Sequence, residues 1–158
     1  MILPTVVGVG EVVVVDEPST LVGMALGSCV ALMLYDLRAG VAGMAHVMLP
    51  AAPEPDTPHA GRYADTAVRT LLEEMLSRGA RKGLVMAKLV GGSQMFSVNN
   101  EGHAIGERNV EALESLLRAE HVPLVAQDTG GKRARTVEFD TRTGLALIRT
   151  AHDTERCL

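Results

Sequence analysis

A chain of 158 residues with 15 Lys and Arg against 19 Asp and Glu carries a formal net charge of −4 and suits a single domain with its own core. Hydrophobic residues at 47% exclude a disordered chain, and aromatics at 3% with no Trp leave the core to Val, Leu, Ala and Met. The mild acidity and the few stacking rings argue against a nucleic-acid partner.

No basic residue precedes Arg38, so the positive start of a secretory signal is missing. The longest uncharged run near the N-terminus, Ser19 to Tyr35, holds Gly23, Gly27, Ser28 and Cys29. It falls short of the ~20 mostly apolar residues of a membrane span, so no membrane insertion is expected. Cys29 and Cys157 are too few for a disulfide framework and lack metal-ligand spacing. A cytoplasmic, reducing environment is the expectation.

In chain order, the β-branched run Val12 to Val15 reads as a buried strand closed by Asp16, Glu17 and Pro18. Thr20 to Leu26 is a second apolar stretch. Val30 to Tyr35 and Val41 to Met48 flank a short polar, Gly-containing connection and read as a β-hairpin. Four prolines between Pro50 and Pro58 demand an exposed loop. Ala64, Val68, Leu71, Leu72, Met75 and Leu76 recur at helical spacing, with Gly79 as the stop. Leu84 to Val90 is a strand ending at Gly91-Gly92, and residues 93–104 form an excursion with an Asn99-Asn100 turn. Val110, Leu113, Leu116 and Leu117 mark a second amphipathic helix. Leu124 to Ala126, Thr136 to Asp140 and Leu145 to Thr150 close the pattern as short strands. Residues 1–150 thus read as one α/β domain, a mixed β-sheet covered by two amphipathic helices. Residues 151–158 read as a frayed tail.

Chemistry points first to Cys29. Gly27 and Ser28 precede it, so the backbone can turn tightly at a strand end and present amides to a developing oxyanion. If Tyr35-Asp36 and Ala39-Gly40 flank the hairpin turn, Cys29 faces His46 across the ladder, where opposite Cβ atoms stand ~5 Å apart. An imidazole so placed takes the thiol proton. Two other readings stay open: His46 as a core residue between Ala45 and Val47, and a register one residue different that puts the pair on opposite faces. His59, His103, His121 and His152 read as surface, and Cys157 as mobile and idle. Lys132, Arg133 and Arg135 read as a solvated loop, and Asp128 as a turn initiator.

Several motifs together resemble one family. Leu26-Gly27-Ser28-Cys29-Val30 is followed by Ala45-His46-Val47-Met48-Leu49-Pro50, then by Gly91-Gly92 with Met95 and by Ile105-Gly106-Glu107-Arg108-Asn109. Asp128-Thr129-Gly130-Gly131 comes last, with Arg135, Val137 and Phe139. This series resembles CheD, the chemoreceptor glutamine deamidases, over roughly Val6 to Arg149.

The resemblance implies a three-layer α/β sandwich and deamidation of glutamines on methyl-accepting chemotaxis receptors, with no cofactor. It implies Cys29 as nucleophile and His46 as general base. A family threonine that orients the histidine corresponds to Gly23, which offers a backbone carbonyl but no hydroxyl, so Gly23 is expected to orient His46 through that carbonyl, at reduced or altered activity. Backbone amides of Ser28 and Cys29 are the expected oxyanion donors. The alternative implied reading is a weak or inactive regulatory module that pairs with a CheC-type phosphatase. A cysteine protease would apply the same chemistry to a backbone amide and cleave the chain.

Overall fold

A computed structural model describes residues 3–95, 104–151 and 155–158. The Asn99-Asn100 turn, His103 and His152 lie outside the described residues. One sheet has the order β1-β3-β8-β9-β10: β1 (Thr5–Val6), β3 (Thr20–Leu26), β8 (Arg135–Asp140), β9 (Ala146–Arg149) and β10 (Arg156–Cys157). The other has the order β2-β5-β4-β6-β7: β2 (Val12–Val15), β5 (Val41–Val47), β4 (Val30–Asp36), β6 (Met86–Gly91) and β7 (Leu124–Thr129). Helices α1 (Ala64–Ser77) and α2 (Ile105–Ala119) complete the set. Both sheets are mixed, since β1 runs parallel to β3 and β6 parallel to β7. Among the described residues no helix is long and apolar enough to cross a membrane.

The three layers follow from which residues each strand turns to which side. Leu32 and Leu34 of β4 and Ala45 and Val47 of β5 join Val68, Leu71 and Leu113 in a core between the second sheet and the helices. Their neighbours Ala31, Met33, Met44 and Ala42 join Leu21, Val137 and Phe139 in a core between the two sheets. Every residue of β4 is buried. A central strand covered on both faces has no polar side, which explains its unbroken apolar run. Helix α1 comes close because β5 carries Gly43 at the contact: a Cβ there would meet Leu71 at 2.7 Å.

The β4–β5 hairpin departs from the expected register. The ladder pairs Val30 with Val47, Ala31 with His46 and Asp36 with Val41, so His46 faces Ala31 rather than Cys29. The physical reason is the Asp36 side chain. Its Oδ1 accepts the amides of Arg38 and Ala39, each at 3.1 Å, and this closes a longer loop over residues 37–40. A shift of two residues preserves the face, because side chains alternate with a period of two.

Asp36 also accepts the Arg81 amide through Oδ2 at 2.9 Å, tying the hairpin to the chain that enters β6. Burial raises its carboxyl pKa, but the three amides and the Arg81 charge outweigh it and leave the value lowered. Asp36→Ala is expected to lower unfolding free energy by about 2–3 kcal/mol at neutral pH, measured by denaturant unfolding. A depressed carboxyl stabilises above its unfolded value and loses that contribution as pH falls through its folded value. The gap between parent and variant should therefore close only below pH ~4.

Residues 155–158 of the expected tail are docked rather than frayed. Arg156 and Cys157 pair antiparallel with Ile148 and Leu147, while Arg156 reaches Asp128 and Glu155 reaches Arg149.

Candidate active site

Strand β3 belongs to one sheet and β4 to the other, and only Gly27, Ser28 and Cys29 connect them. A bulge between Gly23 and Leu26, with Ala25 at φ +50°, twists β3 out of its ladder with β8 just before this crossing. All three carbonyls of the crossing are held. Gly27 accepts the Ser93 amide at 2.8 Å, Ser28 accepts Asn109 Nδ2 at 3.0 Å, and Cys29 accepts the Gly92 amide at 2.8 Å. Neither the Ser28 nor the Cys29 amide donates a hydrogen bond among the described residues. A strand end whose carbonyls are tied and whose amides are free is suited to bind an anionic oxygen.

Glycine is required at the supporting strand. Gly91 lies at φ +121°, and a Cβ there would meet the Cys29 carbonyl oxygen at 2.3 Å. Arg135 holds this turn from below, donating to the carbonyls of Gly91 at 3.0 Å and Gly130 at 2.6 Å. It is 7% exposed and paired with Asp128 at 3.4 Å. This corrects the reading of Arg135 as part of a solvated loop: backbone oxygens and a carboxylate replace the water around its guanidinium. Lys132 and Arg133 are exposed as expected. Asp128 is committed to Arg135 and Arg156.

His46 lies on β5 opposite Ala31, and Cys29, two positions before Ala31, packs with it against the core between the sheets. In a regular ladder such diagonal neighbours stand ~7–8 Å apart, within reach of a ring side chain. The imidazole is 5% exposed, and its Nδ1 stands 3.0 Å from the Val7 carbonyl oxygen. A carbonyl only accepts, so Nδ1 carries the proton, and in the neutral ring Nε2 keeps its lone pair. The sequence reading expected Gly23 to supply this carbonyl. Val7 supplies it instead, because β1 runs parallel to β3 and the Val7 amide bonds the Val22 carbonyl at 2.8 Å. Gly23 is nonetheless adjacent: a Cβ there would stand 3.4 Å from that of Ala31.

Burial pushes the Cys29 thiol above its ordinary value, so the resting group is neutral at neutral pH. No hydrogen bond joins Cys29 to His46: the imidazole is held by the Val7 carbonyl alone among the described residues. A cavity of about 260 Å³, lined by Ser28, Ser93, Met95 and Ile105 among others, opens beside the crossing. His59 and His121 are exposed, and Cys157 is exposed on β10. Among the described residues no group of three His, Cys, Asp or Glu stands ready to hold a metal. Val7 left no trace in the sequence, because a backbone carbonyl carries no side-chain signal. Asn109 stood in a motif, but nothing local linked it to Ser28, 81 residues away.

Known proteins resemble the chain over most of its length. A family model described as CheD chemotactic sensory transduction matches residues 48–150. The chain is 47% identical over 145 residues to the chemoreceptor glutamine deamidase CheD of Thermotoga maritima, covering 91% of this chain and 90% of that protein. It is 44% identical over 154 residues to the protein of the same name from Halalkalibacterium halodurans, covering 95% of each. Against that of Bacillus subtilis it is 40% identical over 156 residues, covering 96% and 94%.

Proposed function

The chain belongs to the CheD family, and from that premise we propose that it deamidates glutamine side chains of chemoreceptors through Cys29 and His46. The observation that carries the residue assignment is the Val7 carbonyl on His46 Nδ1, which leaves Nε2 as a base on the face that Cys29 shares. With the thiol neutral at rest, His46 removes its proton as the sulfur attacks the carboxamide carbon. The carbonyl oxygen becomes an oxyanion beside the Ser28 and Cys29 amides. As the intermediate collapses, the imidazolium returns the proton to the departing nitrogen, and ammonia leaves a thioester. Water, deprotonated by His46, then hydrolyses the thioester to glutamate and restores the thiol. The net change is amide plus water to acid plus ammonia.

The mostly apolar cavity beside Ser28 offers room for the methylenes of a glutamine side chain. The regulatory reading rests on pairing with a CheC-type phosphatase, and the missing hydroxyl at Gly23 adds to it; a backbone acceptor on His46 weakens that second support alone. A CheC-type phosphatase remains the proposed partner for the same face, where it would compete with a receptor.

Incubation with a chemoreceptor signalling domain is expected to release ammonia and add one dalton at particular glutamines, with the receptor chain intact. Unchanged glutamines across several receptors, from a folded protein, would sink the proposal. Chain cleavage would favour the protease.

A further inference from the structure

We propose that Asn109 is a positioning residue of this site, orienting the Ser28–Cys29 peptide so that the Cys29 amide faces the developing oxyanion. The proposal rests on the deamidase reading and deepens it. Asn109 is fully buried on α2 and donates through Nδ2 to the Ser28 carbonyl at 3.0 Å and to the Met48 carbonyl at 2.9 Å. One amide group thus ties the residue before the nucleophile to the residue two beyond the base.

The geometry of the peptide unit gives that tie its consequence. In a planar trans peptide the C=O and the following N–H point in opposite directions. Drawing the Ser28 carbonyl toward α2 therefore turns the Cys29 N–H the other way, where it has no partner among the described residues. The flanking carbonyls of Gly27 and Cys29 are held by backbone amides. The Ser28–Cys29 peptide is the one in the crossing whose orientation depends on a side chain.

Two further observations fit a role beyond packing. Among the described residues, Asn109 Oδ1 is buried without a partner. A residue present only to fill space would avoid that cost, since leucine has nearly the same volume and no polar atoms. The reverse amide orientation would set Oδ1 against two carbonyl oxygens, so the carbonyls themselves assign Nδ2. Gly106, three residues earlier, gives the helix its close approach: a Cβ there would stand 2.6 Å from the Ser93 carbonyl oxygen.

The test compares Asn109→Leu and Asn109→Asp with the parent. Both keep the side-chain volume; leucine removes both donated hydrogen bonds, and aspartate keeps at most one, since a buried carboxyl facing two carbonyl oxygens holds its proton. Deamidation of a receptor signalling domain is read beside alkylation of Cys29 by iodoacetamide, a displacement at carbon that forms no oxyanion. The expected result is a fall in kcat of about 10- to 100-fold, less than deletion of an oxyanion donor because the amide is misaimed rather than lost. KM and the alkylation rate should stay within about threefold of the parent.

A folded variant that keeps its kcat overturns the proposal. So does a parallel fall in kcat and alkylation, which would mean general distortion, or failure of both variants to fold, which would make the amide a folding element only. A parent that releases no ammonia overturns the deamidase reading itself, and the positioning role falls with it. An active parent with indifferent Asn109 variants overturns the positioning role alone.

Discussion

Cys29→Ala is expected to lower kcat for ammonia release by about 10⁴- to 10⁶-fold, the range for loss of a covalent nucleophile. No second thiol can stand in. Cys157 is exposed on β10, at the far edge of the other sheet, and Cys157→Ala should leave the rate unchanged. Cys29→Ser should be almost as poor as alanine, since a hydroxyl is a far weaker nucleophile than a thiol at neutral pH. The raised thiol value adds a pH signature. Because burial disfavours the thiolate, alkylation of the free enzyme should be slow at pH 7 and climb through an inflection above the ordinary thiol range. A fast rate that stays flat from acid upward would show a preformed thiolate, and the neutral resting state would be wrong.

The sequence reading located the strand that bears His46 and the tight turn that bears Cys29, because both lie beside long apolar runs with clear ends; that the turn crosses from one sheet to another was not legible. Val12–Val15 and Thr20–Leu26 form strands with the bounds read from the sequence. The shared face of Cys29 and His46 was also legible, since an error of two residues in register leaves alternation intact. Their direct opposition was not. Loop length depends on a side chain capping its own turn, and the Asp36 carboxylate chose the longer loop. Arg135 was misread for a related reason. A cation in a Gly-rich loop looks solvated until distant carbonyls close around it, and Gly91 lies 44 residues away.

His46→Ala is the second large effect, an expected loss of about 10²- to 10⁴-fold in kcat, the usual worth of a positioned general base. Alkylation of Cys29 should change little, because burial already holds the thiol in its neutral form. That contrast separates a base acting during attack from one that ionises the thiol beforehand. The anchor of the ring then decides what position 23 can do. With Nδ1 bonded to the Val7 carbonyl, the tautomer is already fixed by a group that no side-chain substitution removes.

A threonine at 23 would have to share that nitrogen or find another partner. Its Cβ would also arrive 3.3 Å from Val137 Cγ1, closer than most packing allows, beside an ordinary contact of 3.5 Å to Leu26 Cδ1. Gly23→Thr is accordingly expected to raise kcat by less than about tenfold, and to do so only if the core gives way by a few tenths of an ångström. A gain of a hundredfold or more would mean that the Val7 carbonyl holds the ring without orienting it for catalysis. The hydroxyl would then be the missing part of the base.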